Sequence, residues 1–241
     1  MKILITGATS GIGKALALEL LRDNENILYL VARRLEKLNE IYGVYGNRCV
    51  LINEDLSVLQ KIGGIFDRIS GVKLDGMVHC AGVSPLMKVA DNNVLSMLDT
   101  FNVNYFSFIE LCKYFYNSRH SHNGASIVAM SSIAASAVPY RQTIYSSSKA
   151  ALEQSIKCIA KEFLPRRIRV NGIAAGAVET DMFNELEKNS DNLRLRMENY
   201  YPLGIINPNK IVKTIIYLLS DDSVHVDGTI IRYDSGFMIN R

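Results

Sequence analysis

Short apolar segments alternate with longer segments of helical periodicity along this chain. The apolar segments are brief and rich in β-branched residues, which is typical of strands buried on both faces of a parallel sheet. The predicted strands are residues 3–6, 27–31, 49–53, 76–80, 125–130, 168–173 and 229–232. The predicted helices, with apolar residues three and four apart, are residues 13–22, 35–42, 58–69, 94–116, 145–163 and 209–219. The alternation predicts an α/β fold, a doubly wound seven-stranded parallel sheet with helices on both faces.

The chain is interpreted as one domain of residues 1–241. Its hydrophobic fraction of 48% is enough for one well-buried core. No internal repeat or linker composition divides it, so residues 181–203 are interpreted as an insertion over the substrate site. Charges of both signs and apolar residues alternate there, which fits an amphipathic lid or, equally, a packed surface helix. The apolar residues are Met182, Phe183, Leu186, Leu193, Leu195, Met197, Tyr200 and Tyr201.

Composition gives no sign of a nucleic-acid, membrane or metal partner. The formal net charge of +3 is too small a bias for a nucleic-acid or membrane surface. The four cysteines form no CxxC pair, and the four histidines lack zinc-ligand spacing. The apolar residues 3–5 are too few for a signal sequence, and no apolar run approaches the roughly 18 residues of a membrane span. We therefore expect a cytoplasmic protein with reduced thiols and no metal.

A glycine-rich turn follows the first predicted strand directly and precedes an amphipathic helix. Such a turn lets backbone N–H groups approach a pyrophosphate at the positive end of the helix. Its spacing is G-x-x-x-G-x-G and differs from the G-x-G-x-x-G dinucleotide fingerprint, so a tight turn without a ligand is the alternative. The residues expected to contact the cofactor are Gly7, Thr9, Ser10, Gly11, Ile12 and Gly13.

Two arginines, Arg33 and Arg34, follow the second predicted strand. An acidic residue there would bind the ribose hydroxyls of NAD, whereas a guanidinium suits a 2′-phosphate. NADP(H) is therefore preferred over NAD(H), with ordinary solvated arginines at a helix start as the alternative. Asp55 and Leu56 follow the third strand and are expected at the cofactor as well. Asp55 suits the adenine amino group, and capping of a helix near Val58 is an equal possibility.

Tyr145 and Lys149 stand four residues apart, so they share one helix face. A lysine ammonium under a tyrosine lowers the pKa of the phenol from its usual value of about 10 towards neutrality. Ser132 and Asn104 precede this pair along the chain. Taken alone, Ser132 suits a strand-end hydroxyl that ties a loop, and Asn104 suits a helix residue bonded to its own main chain.

These motifs, in this order, resemble those of the short-chain dehydrogenase/reductase family over almost the whole chain. The segments that carry the resemblance are residues 6–13, residues 79–82, Asn104, Ser132 and residues 145–149. The resemblance implies a single Rossmann-like domain and an NAD(P)-dependent oxidoreductase acting on an alcohol or carbonyl. It outweighs the structural alternatives for the single residues, because those do not explain the combination.

The resemblance also implies a role for each catalytic residue. Tyr145 would be the general acid that protonates the carbonyl oxygen, and Ser132 would hold that oxygen. Lys149 would bind the ribose hydroxyls of the nicotinamide half and favour the tyrosinate, and Asn104 would anchor a water that relays protons to the lysine. Further cofactor contacts would come from Ala81, Gly82, Val178 and Thr180.

Three positions depart from the family pattern. Cys80 replaces an asparagine, which puts in doubt the hydrogen bonding between the central strands. Ala175 replaces the proline before Gly176, so that loop is expected to be less rigid. Residues 234–237 replace a D-G-G turn, a change expected to affect subunit packing more than catalysis.

Within the family, residues 201–204 and 218–222 resemble the C-terminal region of bacterial 3-oxoacyl-[acyl-carrier-protein] reductases. Arg166 and Arg167 stand where such enzymes meet an acidic carrier protein, and surface charge at a helix end is the alternative. The resemblance implies a 3-oxoacyl thioester as substrate and a homotetramer or homodimer. A reductase of a sugar or small ketone and a non-catalytic dinucleotide sensor are the other hypotheses.

Overall fold

The computed structural model of the chain describes residues 1–69, 71–188 and 192–240, without the side chains of residues 186 and 196. Its sheet has the strand order β3-β2-β1-β4-β5-β6-β7, and each neighbouring pair is parallel. The strands are β1 (Lys2–Thr6), β2 (Ile27–Ala32), β3 (Cys49–Asn53), β4 (Leu74–His79), β5 (Ser121–Ser132), β6 (Arg169–Ala175) and β7 (Ile230–Tyr233). This confirms the predicted single α/β domain with a seven-stranded parallel sheet.

Helices cover both faces of this sheet. They are α1 (Gly11–Leu20), α2 (Leu35–Tyr42), α3 (Gly63–Asp67), α4 (Val94–Phe101), α5 (Ser107–Phe115), α6 (Thr143–Phe163), α7 (Asp181–Lys188), α8 (Leu193–Tyr200) and α9 (Pro208–Leu219). Side chains alternate across β1, so Ile3 and Ile5 join a core with α1, α2 and α9, and Leu4 joins the opposite core with α3, α5 and α6. Both cores are therefore apolar, as the near-continuous apolar strands require.

Two predicted helices are interrupted. The helix predicted over residues 58–69 is a 3-10 turn, Leu59–Lys61, followed by the short α3 that begins at Gly63. A Cβ on Gly63 would lie 2.7 Å from the Tyr114 hydroxyl oxygen, so the glycine is needed for close packing. Consecutive glycines at 63 and 64 also weaken a helix, which explains the break.

The helix predicted over residues 94–116 contains a π-helical turn, Asn102–Phe106, between α4 and α5. The N–H of Ser107 bonds to the carbonyl of Asn102, five residues earlier. The Ser107 hydroxyl donates to the Val103 carbonyl at 2.8 Å, which satisfies a group inside the irregular turn. Single π turns within helices often mark functional positions, and Asn104 lies in this one.

Strand β6 continues to Ala175, two residues beyond its predicted end at residue 173. Ala175 pairs with Ser132 of β5 and with Tyr233 of β7. A proline at this position would interrupt the ladder, because proline has no N–H to donate. The loop before Gly176 was expected to be less rigid, yet alanine here allows the strand to continue.

The strand order reverses between β1 and β4, so the connections from these two strands run to opposite sides of the sheet. A crevice forms at such a reversal, outside the carboxyl ends of the strands, and ligands of open α/β sheets bind there. The glycine-rich turn follows β1 and residues 80–82 follow β4. Among the described residues, no helix has the length and apolar character to cross a bilayer.

Candidate active site

A cavity of about 480 Å³ opens at the carboxyl edge of the sheet. It brings together every residue predicted to contact the cofactor and three of the four predicted catalytic residues. The lining includes Gly7, Thr9, Ser10, Gly11, Ile12, Gly13, Arg33, Arg34, Asp55, Leu56, Ala81, Gly82, Ser132, Tyr145, Lys149, Val178 and Thr180. The fourth predicted catalytic residue, Asn104, lies behind Gly82, where a Cβ would come within 3.3 Å of Asn104 Oδ1.

The glycine-rich turn is packed too closely for side chains. A Cβ on Gly7 would lie 2.8 Å from the backbone nitrogen of Ala81, and one on Gly13 would lie 2.5 Å from the Gly7 carbonyl oxygen. Ser10, the N-cap residue of α1, makes no side-chain capping bond, so it leaves the N–H groups of the first helical turn to the cavity. This arrangement fits the pyrophosphate of a dinucleotide, whose charge the positive helix end would stabilise.

Two basic residues lie at the rim of the cavity. Arg33 and Arg34 are exposed at the cavity rim, and neither guanidinium has a hydrogen bond or ion pair with the described part of the chain. Asp55 Oδ1 accepts from the N–H of Ser57 at 2.9 Å, so this carboxylate caps a turn while it also borders the cavity. Leu56 is buried beside it.

In the family pattern an asparagine stands at the position of Cys80. In this chain, other side chains join β1 to the end of β4. The Thr6 hydroxyl oxygen lies 3.0 Å from His79 Nδ1 and accepts from the N–H of Ala81 at 3.2 Å. His79 is buried, and burial lowers its pKa to about 3, so the ring is neutral. The role of this histidine is therefore structural. Cys80 therefore does not leave the central strands without a side-chain connection.

Tyr145 and Ser132 meet at the floor of the cavity. Tyr145 lies in the first turn of α6, Ser132 ends β5, and the Ser132 side chain interacts with the Tyr145 phenol. The Ser132 oxygen also accepts from the N–H of Ala134 at 3.2 Å, so it ties the loop as well. Burial raises the pKa of Tyr145, and the bond with Ser132 lowers it by less. The expected lowering of this pKa towards neutrality is therefore wrong for this arrangement.

Lys149 explains that difference. Its side chain is only 4% exposed, and its Nζ donates to the Met130 carbonyl at 2.8 Å. The Nζ atom also lies over the Tyr145 ring, 5.9 Å from its centre, but its hydrogen bond goes to the strand rather than to the phenol oxygen. Burial lowers the pKa of Lys149 to about 8, and nearby Cys80 and Glu153 oppose this shift.

The side chain of Asn104 joins two other segments. Its Oδ1 accepts from the N–H of Val83 at 2.8 Å, and its Nδ2 donates to the Val83 carbonyl at 2.9 Å and to Ser148 Oγ at 3.0 Å. The alternative that Asn104 bonds to its own helix is wrong. The residue instead fixes the loop after β4 against α6, one residue before Lys149.

Val178 and Thr180 line the part of the cavity where the nicotinamide is expected. Val178 pairs with Ile206 in an isolated bridge that uses the Ala177 carbonyl and the Glu179 N–H, so the bridge does not consume the N–H of Val178. The Thr180 hydroxyl donates to the Val178 carbonyl at 3.3 Å and accepts from the N–H of Phe183 at 3.3 Å. A methyl group of Thr180 lies close to Gly11, which joins this loop to the glycine-rich turn.

An apolar wall of the cavity includes a residue that sequence reasoning missed. Phe183, Met197, Tyr201 and Phe237 line it. The rings of Tyr201 and Phe237 are 4.9 Å apart. Part of the predicted lid, residues 189–191, lies outside the described residues.

Phe237 reaches the cavity because of the unusual turn before it. The Asp234 carboxylate accepts from the N–H groups of Gly236 at 3.2 Å and Met238 at 3.0 Å. Residues 234–237 were expected to affect subunit packing more than catalysis, but Phe237 borders the site itself. The departure from D-G-G was the available signal.

The arginines predicted to meet a carrier protein differ in their surroundings. The Arg166 guanidinium donates to the Ser121 carbonyl at 2.7 Å, to Asn123 Oδ1 at 3.0 Å and to the Tyr116 carbonyl. It therefore joins α5 to β5 and is not a free surface charge. Arg167 is exposed.

Known proteins resemble this chain over nearly its whole length. A short-chain dehydrogenase family model, described as enoyl-(acyl carrier protein) reductase, matches residues 7–238. The trihydroxynaphthalene reductase PfmaI of Pestalotiopsis fici is 28% identical, covering 98% of this chain and 89% of that protein. The 3-oxoacyl-[acyl-carrier-protein] reductase FabG of Aquifex aeolicus is 26% identical, covering 97% and 95%. A short-chain dehydrogenase family protein from Francisella tularensis has a similar crystal structure, with a TM-score of 0.89, 27% identity and coverage of 99% and 98%.

Proposed function

This chain belongs to the short-chain dehydrogenase/reductase family and is an NAD(P)-dependent oxidoreductase; from that premise we propose that it reduces a ketone with NADPH. The observation that carries the proposal is the position of Ser132 and Tyr145 at the floor of the cavity, next to the glycine-rich cradle. When bound there, the nicotinamide supplies the hydride.

The hydroxyl pair suits reduction in particular. Because burial raises the pKa of Tyr145, the phenol keeps its proton at neutral pH and can donate it to a carbonyl oxygen that gains negative charge. Ser132 holds that oxygen in place, and Lys149 binds ribose hydroxyls and supplies a positive charge. In the reverse direction, Tyr145 accepts the proton.

Asn104 positions Lys149 in this proposal. Its side-chain amide is already bonded to Val83 and Ser148. A water that relays protons to Lys149 would therefore use the main chain of the π-helical turn rather than the amide of Asn104. The irregular hydrogen bonding of that turn supports this arrangement.

The preference for NADPH over NADH rests on Arg33 and Arg34. Both guanidinium groups are exposed at the cavity rim and available to a 2′-phosphate. Asp55 retains Oδ2 for the adenine amino group, since its turn uses Oδ1. The N–H of Val178 and the Thr180 hydroxyl would hold the carboxamide.

The first substrate class proposed is a 3-oxoacyl thioester, and the FabG relative supports it. The apolar wall of Phe183, Met197, Tyr201 and Phe237 suits an acyl chain. The same wall, together with the naphthalene reductase relative, favours a cyclic aromatic ketone as the second candidate. A sugar is less suited, because its hydroxyl groups need polar partners on that wall.

Residues 181–203 would act as a lid, because α7 and α8 both contribute residues to the cavity. An acidic carrier protein would depend on Arg167 and other surface cations, since Arg166 is used internally. We also propose a cytoplasmic location, which the four free cysteines support.

We also propose that the protein forms a homodimer or homotetramer. Val94, Leu95 and Leu98 of α4 and Phe106 after it are exposed apolar residues. Such a group is suited to a second copy of this chain.

The test is NADPH oxidation by the purified protein, with NADH in parallel, offered acetoacetyl thioester, 1-tetralone and a keto-sugar. Turnover of the thioester supports the first substrate class, and turnover of only the cyclic ketone supports the second. Turnover of only the sugar would refute both substrate classes. NADPH binding without turnover of any ketone in a wider panel would favour the dinucleotide sensor.

A further inference from the structure

The last three residues of β5 each contact the same helix. The contacts are Ser132 with Tyr145, the Met130 carbonyl with Lys149 Nζ at 2.8 Å, and Ser131 Oγ with Glu153 Oε1 at 2.7 Å. Successive partners on α6 are four residues apart, so they share one face of the helix. Tyr145, Ser132 and Lys149 take part in the proposed reaction. Glu153 has no assigned part in that reaction.

We propose that Glu153, held by Ser131, is a positioning residue for Lys149, whose carboxylate keeps the lysine ammonium charged and α6 in place on the end of β5. The proposal deepens the proposed function, because it rests on the role of Lys149 in binding the cofactor. Glu153 is not among the described residues that line the cavity.

The surroundings of Lys149 leave Glu153 as its source of negative charge. From β4, His79 is neutral, and burial raises the pKa of the Cys80 thiol to about 12, so the thiol is neutral as well. On α6, Tyr145 keeps its proton. The group of β5 that accepts from Lys149 is the uncharged Met130 carbonyl, and the uncharged side chain of Asn104 from the π-helical turn lies with Lys149 Nζ around Gly82. Cys80 and Glu153 both raise the pKa of Lys149, and among the described residues Glu153 is the carboxylate that does so.

Ser131 favours the ionised form of that carboxylate. Glu153 is partly buried, and burial raises its pKa. The Ser131 hydroxyl and the cations of Lys157 and Lys149 oppose this by stabilising the charged form. Ser131 therefore fixes both the position and the charge of Glu153.

Loss of the Glu153 charge should change how NADPH affinity and ketone reduction depend on pH. Burial alone disfavours the Lys149 ammonium, and loss of the Glu153 charge would lower the pKa of Lys149 further below about 8. The ammonium would then be lost at a lower pH. Both NADPH affinity and ketone reduction would decline at that lower pH, whereas their values near pH 6 would change little.

The experiment compares Glu153→Gln with Ser131→Ala and with Glu162→Gln, which removes an exposed carboxylate from the same helix. The amide oxygen of glutamine can still accept from Ser131, so Glu153→Gln removes charge with little change in shape. NADPH affinity is measured by fluorescence from pH 6 to 10, and the pH profile of ketone reduction is recorded in parallel.

In Glu153→Gln, we expect the decline on the basic side of both pH profiles to occur at a lower pH, by roughly half a pH unit to one pH unit. Ser131→Ala should shift it in the same direction. Glu162→Gln should match the wild type. In a Lys149→Met background, Glu153→Gln should have no further effect on NADPH affinity. Profiles of Glu153→Gln and Ser131→Ala that superpose on the wild type would overturn the proposal. If the wild type reduces no ketone, the proposed function fails, but the binding profiles still decide the role of Glu153.

Discussion

Tyr145 keeps its proton in this structure because burial disfavours the phenolate more than the Ser132 hydroxyl stabilises it. The spacing of Tyr145 and Lys149 correctly predicted that both lie on one helix, but not where the ammonium points. That direction depends on the Met130 carbonyl, a tertiary partner that residue spacing does not reveal. The chemistry at the residue scale is therefore set jointly by burial and by the end of β5.

Replacing Tyr145 with phenylalanine should remove the proton donor and leave the cavity shape intact. We expect the rate of ketone reduction to decrease by about 10²–10⁴-fold, since general acid catalysis contributes about that much. NADPH affinity, measured by fluorescence titration, should change less than about threefold, because binding and chemistry use different groups. Undiminished turnover would show that another group donates the proton.

Replacing Arg33 with glutamate should discriminate between the two nicotinamide cofactors. We expect NADPH to bind about tenfold to a hundredfold more weakly, through loss of charge-assisted bonds to the 2′-phosphate. NADH affinity should be nearly unchanged, and Lys213→Glu, at an exposed position on α9, is the control. Equal losses for both cofactors would argue against a phosphate contact at Arg33.

The buried Lys149 ammonium should lower the free energy of unfolding at neutral pH. Because its pKa in the folded protein, about 8, is below its ordinary value of 10.5, the unfolded chain binds more protons between these two pH values. Lys149→Met should therefore be more stable than the wild type at pH 7, by about 1–2 kcal/mol in urea unfolding. The difference should shrink as the pH rises from 8 to 10.5. A wild type that is more stable than the variant at pH 7 would contradict this.

At the scale of elements, the sequence predicted strands better than helix interruptions. Strands buried on both faces leave a continuous apolar signal, so all were located, although several begin or end elsewhere than expected. The break at Gly63 depends on Tyr114, which is distant in the chain, and the π-helical turn leaves no periodic signal of its own. Phe237 and Glu153 were missed for the same reason, since their partners lie on other elements.

The adjacent glycines of α3 offer a matched comparison. A Cβ on Gly63 would lie 2.7 Å from the Tyr114 hydroxyl, whereas one on Gly64 would meet nothing within 4 Å. We expect Gly63→Ala to lower the free energy of unfolding by about 1–3 kcal/mol through overpacking. Gly64→Ala should raise it by about 0.5–1 kcal/mol, because alanine favours a helix. Equal effects of the two changes on urea unfolding would contradict the structure.

For the whole molecule, the apolar residues on α4 are the surface best suited to self-association. Leu95 is 79% exposed and Val94 is 63% exposed, so a second copy could bury both. We expect Leu95→Asp to reduce the molar mass measured by light scattering from that of the oligomer to that of the monomer. The control is Val44→Asp, at a residue that is 86% exposed elsewhere on the surface. A wild type that is monomeric at all concentrations would refute the proposed assembly.

The π-helical turn before α5 has a consequence for how this helix can change. One extra residue rotates everything beyond it by about 100° about the helix axis. Phe108, Leu111 and Phe115 are buried against the sheet with that rotation included. Deleting one residue between 102 and 106 would turn these side chains away from the core as well as displacing Asn104. The irregular turn and the buried face of α5 are thus a single unit, in which neither can be altered without the other.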